Sequence, residues 1–191
     1  DKAYGTPDDY KRFIDACHKE GIAVILDIVF NQSDWQHPWQ RMYQPGENPF
    51  FNVTAPHAYS VLNDWNQDYP LVQKQWHDAL RYWMEEYRVD GFRFDLVKGL
   101  GDNDSYTNSG DAATNAYNAS RVARMRELQK VVEEVNPHAY FINENLAQAK
   151  EENEMAETGQ LNWANVNYSS DQFAMGYRDG AGLRHFYAPY D

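Results

Sequence analysis

Apolar residues recur along this chain with two different spacings, and the alternation between them lays out the elements. Thr6-Pro7-Asp8-Asp9 predicts a helix start: Thr6 can cap, Pro7 suits the first helical position, and the two acids favour the positive end of the helix dipole. Tyr10, Phe13, Ile14 and Cys17 follow at helical spacing until Gly21 stops the run. The stretch Ile22–Val29 is then almost continuously apolar and β-branched, as in a parallel-sheet strand buried on both faces. From Asn31 to Leu62 neither spacing is sustained, and Pro38, Pro45, Pro49 and Pro56 punctuate a segment rich in aromatic residues. A segment this long without regular structure is expected to be functional or a small subdomain.

Periodicity resumes after Pro70. Val72, Trp76, Leu80, Trp83 and Tyr87 form one helical face leading into a strand at Val89–Phe94. The polar stretch Gly99–Tyr117 is too long for a simple connector. A helix carrying Val122, Met125, Leu128, Val132 and Val135 ends at Asn136-Pro137, and Ala139–Asn143 is a second buried-type strand that stops at Glu144. A helix over Lys150–Glu157 ends at Gly159, and a further strand is expected over Leu161–Tyr168. Strands alternating with helices imply right-handed βαβ units and a parallel sheet. A doubly wound sheet and a (β/α)₈ barrel both fit that order. Polar residues at three strand C-terminal ends suit the barrel, whose chemistry sits on that face. On either architecture residues 1–30 and 63–191 are expected to be portions of one α/β unit, interrupted by a short insertion over residues 31–62.

Charge narrows the partners. Against 17 basic residues stand 29 acidic ones in a chain of 191, a formal net charge of −12. That balance repels phosphate backbones and anionic lipid, and no apolar run approaches the length of a membrane span, so neither nucleic acid nor a membrane-spanning role is expected. The single cysteine, Cys17, lies on an apolar helix face and allows no internal disulfide. The 14 Tyr, 9 Phe and 6 Trp offer rings on which sugar C–H faces could stack, and equally ordinary core material.

Chemistry concentrates at Gly91-Phe92-Arg93-Phe94-Asp95-Leu96-Val97-Lys98-Gly99. Arg93 and Asp95 are two apart on a strand and project to the same side. Burying a carboxylate is costly, and an arginine two residues away keeps it ionised and aimed, as a nucleophile requires. A structural ion pair would use the same residues. The stretch resembles the fourth-strand signature G-F-R-x-D-x-x-K-H of the α-amylase family of glycoside hydrolases (family 13). Two further stretches resemble that family's motifs in the right order: Asp27-Ile28-Val29-Phe30-Asn31-Gln32 the third-strand D-V-V-x-N-H, and Phe141-Ile142-Asn143-Glu144 the fifth-strand motif.

The resemblance implies a partial (β/α)₈ barrel, with Asp95 as catalytic nucleophile, Arg93 as its orienting partner and Glu144 as general acid/base. Glu144 would sit at the barrel mouth, where partial desolvation suits an acid that must hold its proton. The resemblance further gives Asp27 a role supporting the arginine and nucleophile at the substrate site. Gln32, in place of the usual His, and Lys98 would contact sugars. Asn31, Asp64 and the carbonyl of Gly99 would be ligands of a structural calcium ion, for which such oxygens are suited. Gly99 stands where the family has His, which puts contacts on the leaving-group side in question. No seventh-strand N-H-D motif is found, so the expected protein is the central part of a retaining α-glucan hydrolase, inactive without the remainder of its catalytic domain. A neopullulanase, α-glucosidase or glucan transferase would share these residues, and a non-catalytic carbohydrate-binding relative is the alternative from another class. The chain opens in mid-pattern, so the lack of a signal peptide says nothing about export. Sequons stand at Asn31, Asn52, Asn103, Asn118 and Asn167, and a glycan on Asn31 would block the proposed site, which favours a bacterial extracellular, cell-surface or periplasmic setting over a eukaryotic secretory one.

Overall fold

A computed structural model describes residues 3–44, 46–59, 61–163 and 167–177. Helix α1 (Pro7–Lys19) begins with a capping box, in which Asp9 N donates to the Thr6 hydroxyl and Thr6 N donates to the Asp9 carboxylate at 2.7 Å. Gly21, with φ of 73°, turns the chain out of the helix. Strand β1 (Ile25–Val29) starts three residues later than the apolar run. The cause is Asp90, whose carboxylate takes the Val24 N–H at 2.6 Å and also contacts His18 Nε2 at 2.8 Å.

The insertion is less irregular than its sequence. Strands β2 (Gln32–Ser33) and β3 (Asn63–Asp64) pair antiparallel and close it at its neck, with the one-turn helix α2 (Pro38–Arg41) between them. Phe50, Phe51 and Trp39 build a core, while Trp35 and Tyr43 stay exposed. Phe51 stacks on Trp65 at 4.0 Å, Trp39 lies 4.2 Å from Phe50, and Trp65 meets Trp76 edge-on at 5.0 Å. Trp76 belongs to α3 (Pro70–Tyr87), whose buried face is Val72, Trp76, Leu80, Met84 and Tyr87; Trp83 is only partly covered. The insertion and the main sheet therefore share one apolar cluster.

Arg88, in the left-handed region at φ 56°, ends α3 and leads into β4 (Gly91–Asp95). The long polar stretch that follows holds two 3₁₀ turns and the short helix α4 (Asp111–Asn115). Helix α5 (Ala119–Val135), strand β5 (Tyr140–Asn143) and helix α6 (Ala149–Ala156) fall close to where periodicity put them. The expected strand over Leu161–Tyr168 is reduced to β6 (Leu161–Asn162). Residues 164–166 lie outside the described residues, and α7 (Asn167–Ala174) already begins at Asn167.

All four main strands run parallel, in the order β1-β4-β5-β6. Among the described residues this sheet is open, so a closed barrel is not seen; the alternation gives a parallel α/β sheet with four strands. Phe92 and Phe94 pack on its helix side with Phe30 and Phe141, while Arg93 and Asp95 face the other. Gly91 is needed where it stands: a Cβ there would lie 2.1 Å from the Tyr140 carbonyl oxygen of the neighbouring strand.

Behind the sheet a second polar knot fixes the long loop. Arg121 on α5 and Glu151 on α6 are wholly buried and paired twice, Nε–Oε1 at 2.6 Å and Nη2–Oε2 at 2.7 Å. The remaining guanidinium donors go to the carbonyls of Lys98, Thr114 and Ala116, so every N–H of Arg121 is used. Removing one partner would strand the other charge in the core. Arg121→Met in the full-length protein should therefore cost about 3–5 kcal/mol of stability, as for other broken buried pairs. Urea unfolding checks this, and a loss within experimental error would show that the pair does not hold the loop.

Candidate active site

The C-terminal end of the sheet collects the acidic residues singled out from the sequence. Register sets Asp27 on β1 beside Arg93 on β4, and Val29 beside Asp95. Arg93 Nη1 donates to Asp27 Oδ1 at 2.8 Å and to Asp95 Oδ1 at 2.7 Å, and Nη2 lies 2.9 Å from Glu144 Oε2. One guanidinium thus gathers carboxylates from three consecutive strands of the sheet. Burial alone would lower the Arg93 pKa, but the hydrogen bonds to Asp27 and Asp95 and the charge of Glu144 outweigh it and raise it.

Glu144 follows β5 directly, and two backbone bonds lock it to the end of β4: Glu144 N to Phe94 O at 3.0 Å and Val97 N to Glu144 O at 3.1 Å. Leu96 makes this possible by adopting the left-handed region at φ 48° and ψ 51°, a costly conformation for a leucine. The turn it makes aims its own N–H at Glu144 Oε2, 3.1 Å away. Both donors reach the same oxygen of Glu144, and Arg93 reaches only one oxygen of Asp95. Among the described residues nothing bonds Oε1 of Glu144 or Oδ2 of Asp95. Over this fork lies Trp163, just past β6, with the Arg93 guanidinium carbon 4.1 Å from its ring centroid. Neither Leu96 nor Trp163 stood out in the sequence. Only a cation two strands away gives Trp163 its role, and a leucine carries no signal of positive φ.

At the rim, Lys98 Nζ sits 5.1 Å from the Tyr59 ring centroid, which brings the insertion to the end of β4. Gln32 is turned to its neighbour, its Oε1 accepting from Asn31 Nδ2 at 2.6 Å. Asn31 and Asn118 are buried, so glycosylation at either is incompatible with this fold.

Asn31, Asp64 and Gly99, the residues expected around calcium, are brought to one joint, but with an unforeseen fourth member. Both oxygens of the buried Asp64 carboxylate are engaged, Oδ1 by His57 Nε2 at 2.9 Å and Oδ2 by Asn52 Nδ2 at 2.8 Å. A Cβ at Gly99 would lie 1.5 Å from Asn31 Oδ1 and 2.7 Å from His57 Nε2. Asn31 Oδ1 is buried without a hydrogen-bond partner, which suits a cation ligand. Calcium, however, takes 6–8 oxygens at about 2.3–2.6 Å, and here an imidazole stands among the few oxygens offered. As placed, these residues do not fit the ion.

The family model described as alpha amylase, catalytic domain matches residues 1–58 and 56–185. A 1,4-alpha-glucan branching enzyme of Oleidesulfovibrio alaskensis is 31% identical over 156 residues, covering 74% of this chain and 23% of its own. Chloroplastic isoamylase 3 of Oryza sativa subsp. japonica is 34% identical over 102 residues, 48% of this chain and 13% of its own. Among solved structures, Amy13B of Eubacterium rectale superposes with a TM-score of 0.73 over 98% of this chain and 41% of its own, at 20% identity, a likeness of fold alone. A pullulanase of Anoxybacillus sp. LM18-11, complexed with maltotetraose, gives a TM-score of 0.53 at 26% identity over 70% of this chain and 17% of its own. The chain spans between 12% and 30% of the length of the curated relatives it matches.

Three carboxylates around one cation make a repulsive cluster once the cation is removed. The raised Arg93 pKa keeps its stabilising charge at all ordinary pH values, since it is lost only above the arginine range. In Arg93→Met the crowded carboxylates lose their counter-charge and repel one another. The full-length variant should be less stable than wild type in dilute buffer, with the gap narrowing as added salt screens the repulsion. Denaturant midpoints at low and high salt measure this; a gap independent of salt would refute the electrostatic account.

Proposed function

This chain belongs to the α-amylase family of glycoside hydrolases, and on that premise we propose that it is the central part of the catalytic domain of a retaining α-glucan hydrolase. The observation that carries the reading is the Arg93 fork, which holds Asp95 and Glu144 at the ends of adjacent parallel strands. Two carboxyls on neighbouring nitrogens of one guanidinium leave little space between them, in keeping with the separation of about 5–5.5 Å that direct attack uses.

In this reading Asp95 Oδ2 attacks the anomeric carbon while Glu144 Oε1, carrying a proton, delivers it to the departing glycosidic oxygen. The bond from sugar to leaving oxygen breaks as the ester to Asp95 forms. Glu144, now ionised, takes a proton from water, and the resulting hydroxide displaces Asp95. Arg93 holds Asp95 ionised and directs its free oxygen, and Asp27 steadies Arg93 from the far side. Leu96 N–H stabilises the ionised stage of Glu144, which the reaction passes through once per turnover. Lys98, held at the rim by Tyr59, and Gln32 contact the bound sugars.

Substrates are proposed as α-linked glucose oligomers or polymers. Support comes from relatives named isoamylase, pullulanase and branching enzyme, and from a structural neighbour, an α-amylase of Geobacillus thermoleovorans, complexed with acarbose. Because the chain is short beside its relatives and its described sheet is open, we further propose that residues 1–191 need the rest of the catalytic domain to work.

The test is made in the full-length protein with starch, pullulan and maltose. Asp95→Asn should lower kcat by several orders of magnitude while oligosaccharide binding remains measurable. Glu144→Gln should do the same on starch but keep far more activity on an aryl glucoside, whose leaving group needs no proton. Near-wild-type turnover of starch by Asp95→Asn would dismiss the nucleophile, and equal losses of Glu144→Gln on both substrates would dismiss the acid.

A further inference from the structure

His57 lies deep in the joint between the insertion and the sheet, and the reaction gives it no task. It is 2% exposed, with its side chain wholly covered. Nε2 lies 2.9 Å from Asp64 Oδ1, a carboxylate oxygen that can only accept, so this nitrogen is the donor of the bond. The other flank of the ring meets Tyr106 at 5.5 Å between centroids. Tyr106 donates to the Lys98 carbonyl at 2.6 Å and accepts from Gly101 N at 3.0 Å, and burial pushes its phenol up to about 12. The ring thus touches the neck of the insertion on one side and the loop after β4 on the other. Gly99 makes room for it, because a Cβ there would stand 2.7 Å from Nε2. Asp64 receives its second donor from Asn52, itself bonded to Asn103 in the same loop at 3.0 Å.

An ion at such a joint would draw oxygens of separate segments together and answer the buried charge of Asp64. The chain meets both demands with its own nitrogens, Nε2 of His57 and Nδ2 of Asn52. We propose that His57 takes the place of a calcium ion, tying the insertion to the strand that ends in Asp95 with no divalent cation at this joint. Asn31 Oδ1 and His57 Nδ1 are then left buried without hydrogen-bond partners, each at the full desolvation cost of an unsatisfied polar group.

The test uses the full-length protein equilibrated with calcium and then freed of unbound ion by gel filtration. Metal analysis should find no calcium that depends on Asp64, so that wild type and Asp64→Asn hold the same amount. The melting midpoint of wild type should be no more sensitive to EDTA than that of Asp64→Asn. His57→Ala should lower the midpoint by several degrees, and His57→Gln, whose amide can still donate to Asp64, should recover part of the loss. One equivalent of calcium present in wild type and missing from Asp64→Asn would overturn the proposal. So would a His57→Ala protein that melts like wild type. Should His57→Ala fail to accumulate, the calcium comparison decides alone. None of these readouts is activity, so a failure here leaves the assignment of Asp95 and Glu144 untouched, and the reverse holds as well.

Discussion

A single guanidinium that must answer three carboxylates is the constraint on which this end of the molecule depends. Arg93 can reach Asp27, Asp95 and Glu144 only if β1, β4 and β5 lie side by side, in register, and finish at one level. The apolar pattern serves that requirement. Phe92 and Phe94 anchor the strand on its helix side, so alternation leaves Arg93 and Asp95 on the other. Gly91 lets β4 and β5 approach at the far end. The left-handed turn at Leu96 then brings the chain back under Glu144 instead of letting the strand run on.

Around this centre, buried polar groups tie down the loop after β4, while the insertion is held by its share of the apolar cluster as well. Arg121 and Glu151 close the loop after β4 against α5 and α6, with all donors of the guanidinium satisfied. The Lys98 carbonyl accepts from both Arg121 and Tyr106, so the knot behind the sheet and the joint around His57 meet on one peptide. A buried charge is retained here with a full set of partners, the condition under which it specifies one arrangement instead of merely costing desolvation.

Much of this was legible in the sequence because it rests on local rules. The capping box at Thr6, the apolar stripe from Val72 to Tyr87 and the helix over Ala119–Val135 follow from residues within a few turns of one another. Arg93 and Asp95 declared themselves through their spacing of two, and Glu144 through its place after an apolar strand. What was hidden depends on partners remote in sequence. β1 starts late because Asp90, 66 residues on, takes the N–H of Val24. The neck of the insertion is two residues per strand, too short for any period to show. The strand expected after Gly159 is brief because α7 already begins at Asn167, within the stretch given to that strand. His57 looked like one more polar residue in an aromatic loop, and only Asp64 and the bare backbone of Gly99 make it a joint.

The same remoteness governs how the molecule reaches its native state. The bond between Arg93 and Asp27 spans 66 residues, and that between Leu96 and Glu144 spans 48. Parallel pairing allows nothing shorter, since each strand must wait for a helix to carry the chain back. Helices α3 and α5 can form early from local contacts, whereas the fork cannot close until two long loops have been drawn shut. The acidic centre is therefore among the last features to assemble, and until it does the chain carries apolar strands with unpaired edges. Those are the species at risk of associating with one another, and loop closure is the step that removes the risk.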